Sequence, residues 1–84
     1  MMTREIIEKA REEVLYYLGL AKNIYYGLDA AVYQTKAKAV WWFVIEYAEN
    51  ADALKKEWRN YNKQFEDAID SKTEWGEGDA VWRD

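Results

Sequence analysis

The chain contains no cysteine, no histidine and no proline, and only four glycines among 84 residues. Without cysteine there is no disulfide framework, no thiolate zinc site and no cysteine nucleophile. Without histidine there is no Ser-His-Asp triad and no imidazole proton shuttle. No proline and no glycine interrupts the chain between Leu28 and Trp75. A long apolar run is missing too. The longest covers the seven residues 39–45, against the roughly 20 that a membrane span needs. Nor is there an excess of positive charge: 12 basic residues against 16 acidic ones give a net −4, a weak basis for holding phosphate.

What is present is apolar and aromatic. Half the chain is hydrophobic, and five tryptophans, seven tyrosines and two phenylalanines are spread along it. A chain of this composition can bury enough surface to offset its ordering entropy, so disorder is not expected, and its length fits one small domain. The charged start, residues 1–5, lacks the apolar run of a secretory signal, and the expected location is cytoplasmic.

Periodicity organises the chain. Ile7, Ala10, Val14, Tyr17, Ala21, Ile24 and Leu28 recur in alternating steps of three and four, a heptad seam. Thr3 stands where an N-cap belongs, Glu5 faces the positive end of the helix dipole, and Gly27 is the natural stop. The first helix is therefore predicted over 4–26. Asp29 is expected to cap a second helix.

From Tyr33 the same alternation resumes through Ala37, Val40, Val44, Tyr47, Ala51, Leu54, Trp58, Tyr61, Phe65 and Ala68. Two readings are open. One helix over 30–69 would make an antiparallel hairpin, outrun the first helix and require a second copy to cover its aromatic end. A break near 50–52, where Asn50 and Asp52 are cap-type residues, would give a three-helix bundle. The heptad phase passes through without resetting, which favours the continuous helix and a homodimer. On either reading the fold class is all-α with heptad packing.

Residues 71–84 change character. They hold Trp75, Gly76, Gly78 and Trp82 with no helical stripe, and read as an irregular acidic tail or a short hairpin. Residues 66–84 carry a net −5, which leaves the first 65 residues at +1.

No motif points to catalysis. Glu46, Glu49 and Asp52 would line one face of a continuous helix, but di-metal bundles pair such carboxylates with a histidine. No catalytic, metal or cofactor residue is assigned, and an enzyme is not expected. Lys55, Lys56, Arg59 and Lys63 form a basic strip interrupted by Glu57, so direct nucleic-acid binding is not expected either. Aromatic surface remains as the functional resource, since Trp and Tyr dominate interface hot spots. The candidate partner-binding residues are Trp41, Trp42, Tyr16, Tyr26, Trp58, Trp75 and Trp82, with Glu74, Glu77 and Asp79 in the acidic end. The leading expectation is a non-enzymatic module that binds a protein partner. Small chains of this kind are commonly accessory or inhibitory proteins, some encoded by phages or mobile elements. One alternative is an acidic nucleic-acid mimic that occupies a basic groove on a nuclease or similar protein. The other is a structural subunit of a larger assembly.

Overall fold

The structure, a computed structural model, describes residues 3–72. It is a three-helix bundle of α1 (Arg4–Asn23), α2 (Gly27–Tyr47) and α3 (Ala51–Asp70), each packed on the other two. No described helix is long and apolar enough to cross a membrane.

Helix α1 begins as its sequence directs. The Thr3 side chain accepts a hydrogen bond from the Ile6 backbone N–H at 3.3 Å, with Glu5 in the first turn and Lys22 in the last. Ala10, Val14 and Ala21 of the predicted seam are buried, and Leu18 joins them. The helix ends earlier than the glycine suggests. Ile24 turns extended at φ −78°, ψ 149°, and Gly27 opens α2 instead of closing α1. Asp29 is correspondingly not the cap of α2. It lies in the first turn, where it still meets the positive end of the dipole.

The continuous 30–69 helix is not what forms. Helix α2 stops at Tyr47, Ala48 becomes extended at φ −95°, ψ 147°, and α3 starts after Asn50. Energetics explain why an uninterrupted heptad phase does not keep the helix whole. Breaking it forfeits a few backbone hydrogen bonds, each worth about 1 kcal/mol net. Folding back buries Leu54, Trp58, Phe65 and Ile69 against the other two helices. Each such side chain contributes about 1.5–3 kcal/mol when removed from water. The folded-back arrangement buries these residues within one chain.

Helix α3 follows its predicted seam closely, with Leu54, Trp58, Tyr61, Phe65 and Ala68 all buried. Helix α2 does not, because it packs more extensively on the other two than they do on each other and buries two strips. Tyr33, Val40 and Val44 face α1, where the Tyr17 and Tyr33 rings stack at 6.1 Å. Trp41 faces α3 and donates its indole N–H to the Leu54 carbonyl at 2.8 Å. Tyr47, on the seam by count, is exposed because the helix ends there.

Candidate functional site

Among the described residues, the one charged network that ties the helices together joins α1 to α3. Arg11 makes a two-pronged ion pair with Glu57, its Nη2 donating to Oε1 at 3.0 Å and its Nε to Oε2. The Tyr61 hydroxyl donates to the same Oε2. Beneath them lies Trp41, with the guanidinium carbon 5.8 Å from its ring centre and the Tyr61 ring edge-on at 5.8 Å. The hydrogen bond from Arg11 holds the Glu57 carboxyl below its usual range despite partial burial. Glu57 in turn holds the Arg11 guanidinium firmly protonated. Burial, then the bond to Glu57, pushes the Tyr61 hydroxyl up to about 12. Every member is satisfied by another, and no buried side-chain polar atom lacks a partner among the described residues. The arrangement is a clamp across the bundle and offers no unengaged acid, base or nucleophile.

The carboxylates considered for metal work do not converge. Glu46 lies on α2, Glu49 in the turn and Asp52 on α3, because the helix face that would have aligned them is broken. Among the described residues no group of three potential ligands is close enough to hold an ion. The basic residues Lys55, Lys56, Arg59 and Lys63 are exposed on α3.

The aromatic candidates divide sharply. Trp41 is fully buried and Trp58 nearly so, and both belong to the core rather than to a partner-binding surface. Trp42, one position beyond Trp41, is 44% exposed. It stands edge-on to Trp58 at 5.9 Å, with the Lys38 ammonium 5.5 Å from its ring centre. Tyr16 and Tyr26 are exposed as expected, Tyr16 beside Tyr17 on α1 and Tyr26 against Tyr25 at the α1–α2 turn. Trp75, Trp82, Glu74, Glu77 and Asp79 lie outside the described residues.

The structure adds two aromatic residues that were not among the partner-binding candidates. Phe43 is 57% exposed and Tyr47 is 54% exposed, their rings 5.1 Å apart on the outer side of α2. Phe43 separates two open grooves. One runs between α2 and α1, lined by Ile6, Lys9, Ala10, Glu13 and Val40; the other runs toward α3, lined by Ala39, Trp42, Ile45, Glu46 and Lys55. The signal for this site was present in the sequence as the apolar run 39–45, which covers every face of a helix. Helices α1 and α3 cover only part of that circumference, and the remainder stands in water. No family model, no curated protein and no solved structure matches this chain.

Proposed function

We propose that this chain is a non-enzymatic protein-interaction module whose working surface is the outward side of α2. A single observation carries the proposal. Trp42, Phe43 and Tyr47 fall within six residues of one helix and are each about half exposed, beside two apolar-floored grooves. Lone apolar residues are normal on a protein surface, but a cluster of large ones marks a contact site.

The magnitudes are adequate for binding. An aromatic side chain offers 150–250 Å², so half of three such rings is about 300 Å², or about 7 kcal/mol on burial. Association entropy consumes much of that, and the grooves supply the rest of the contact. An accessory or inhibitory role is the form of function such a surface suits, since it presents shape and apolar area but no reactive group. The nucleic-acid-mimic alternative rests on Glu74, Glu77 and Asp79, and nothing on the described surface favours it.

The test is site-specific photo-crosslinking in the cells that make the protein. A photoreactive phenylalanine analogue replacing Phe43 is expected to trap a protein, whereas the same analogue at Arg59, exposed on α3, traps none. Equal crosslinking at both positions, or none at Phe43, removes the proposal.

A further inference from the structure

Helix α2 carries a second heptad seam, on the side facing away from the bundle. Val32, Lys36, Ala39, Phe43 and Glu46 recur in steps of four, three, four and three, and all five are exposed. At 100° per residue they fall within about 80° of one another, opposite the buried Trp41. Three of the five, Val32, Ala39 and Phe43, are apolar, as on a helix face suited to meet another helix. The described bundle provides none on this side.

We infer that this seam pairs with the same seam of a second copy, the two α2 helices running antiparallel about a two-fold axis. The inference rests on the proposal that the outward side of α2 is the interaction surface, and it names the occupant. Two features of the seam select a second copy in this orientation. In an antiparallel pair each a position shares a layer with a d position of the partner helix, so residue numbers in a layer sum to a constant. When that sum is 82, Ala39 of each copy lies beside Phe43 of the other. The smallest side chain of the seam then meets the largest, twice, as interdigitated layers require. In the same register Lys36 of each copy shares a layer with Glu46 of the other. Neither residue makes an ion pair among the described residues.

A parallel pair would instead place Lys36 against Lys36 and Glu46 against Glu46. Shifting the antiparallel register by one heptad sets Phe43 against Val32 and Lys36 against Ala39, which loses both complementarities. Charged residues in a seam weaken it while fixing register and orientation, and that is the role assigned to Lys36 and Glu46. Trp42 and Tyr47 flank the seam on its two sides. The exposed halves of Phe43, Tyr47 and Trp42 from both copies amount to about 600 Å². Ala39 and the stems of Lys36 extend the contact toward the roughly 1,200 Å² at which stable dimers begin.

Sedimentation equilibrium of the full chain, over a concentration series reaching about 1 mM, is the experiment. The native chain is expected to dimerise, and Phe43→Glu to weaken the dimer at least about 100-fold, since both copies then bury an unpaired charge. Lys36→Glu alone and Glu46→Lys alone each create two like-charge layers and are expected to weaken it about tenfold. The double variant, with both reversals, is expected to return within about threefold of native. Lys36 and Glu46 are exposed, so these variants keep the fold, and circular dichroism confirms it. A native chain that stays monomeric throughout overturns the inference, as does a double variant no tighter than the single ones. Either result leaves the proposed interaction surface standing if Phe43 still crosslinks to a different protein. Loss of crosslinking at Phe43 removes both.

Discussion

Two tryptophans adjacent in sequence have opposite roles in this structure, and replacing each by phenylalanine measures the difference. Trp41 is fully buried between α1 and α3 and donates its indole N–H to the Leu54 carbonyl at 2.8 Å. Trp41→Phe removes that hydrogen bond, worth about 1 kcal/mol. It also leaves a void where the larger ring system stood under Arg11 and Tyr61, which adds about 1–2 kcal/mol. The expected loss is about 2–3 kcal/mol, a large share of the roughly 4–13 kcal/mol that a domain of this size commands. Trp42 is half exposed, meets Trp58 only by its edge and makes no hydrogen bond with its indole nitrogen among the described residues. Trp42→Phe is expected to cost about 0.5 kcal/mol, the scale of a surface substitution. Urea unfolding followed by circular dichroism at 222 nm reads both without interference from the other tryptophans. In heat, Trp41→Phe is expected to lower the midpoint by about 10–20 °C and Trp42→Phe by a few degrees. Equal losses, or a larger one for Trp42, would refute the assignment of the inner and outer sides of α2.

Other consequences are equally direct. Gly19 lies in the interior of α1 with nothing within 4 Å of where a Cβ would sit; Gly19→Ala is expected to stabilise by about 0.5–1 kcal/mol in the same urea assay. Glu49 follows the extended Ala48, and its N–H enters no hydrogen bond among the described residues, so Glu49→Pro is expected to cost under about 1 kcal/mol. In an unbroken helix it would cost about 3 kcal/mol or more, and that outcome would restore the continuous-helix reading. Glu57 is held below its ordinary value, so its contribution to stability is present above about pH 4.3 and is lost as pH falls through the folded value. Tyr61 is raised from 10.0 to about 12; its contribution is full below about pH 10 and fades as pH climbs from there through the folded value. Unfolding free energies measured across pH are expected to show both flanks, with Glu57→Gln flattening the acid side and Tyr61→Phe the alkaline one.

How much of this was legible in the sequence depended on how extensively each helix is packed. Helices α1 and α3 each bury one principal stripe, and a heptad count locates such a stripe without knowledge of the fold. The buried residues of α3 from Leu54 to Ala68 follow it residue by residue. Helix α2 packs most extensively on both of its neighbours, and the single seam names only two of its six buried residues, Ala37 and Val44. Trp41 and Ile45 were off that seam and are core; Tyr47 was on it and is exposed. The break at residues 48–50 was hidden for a different reason. An unbroken phase is compatible with both a long helix and a folded-back one, and the choice rests on burial that only the tertiary arrangement reveals. The Arg11–Glu57–Tyr61 clamp spans 46 positions from Arg11 to Glu57, beyond the reach of any local pattern. The outer side of α2 was visible as a run with no polar face, but which of its residues stand in water depended on where α1 and α3 lie.

Amide chemical shifts recorded as the concentration of the chain is raised test whether the outward side of α2 pairs with the same side of a second copy. Changes are expected on the outer side of α2 within residues 32–47, Ala39 and Phe43 moving most, with Ile6 of α1 following because it lines the adjoining groove. Helix α3 at Lys56, Arg59 and Lys63 should stay fixed. Shifts independent of concentration, or changes centred on α3, would contradict it.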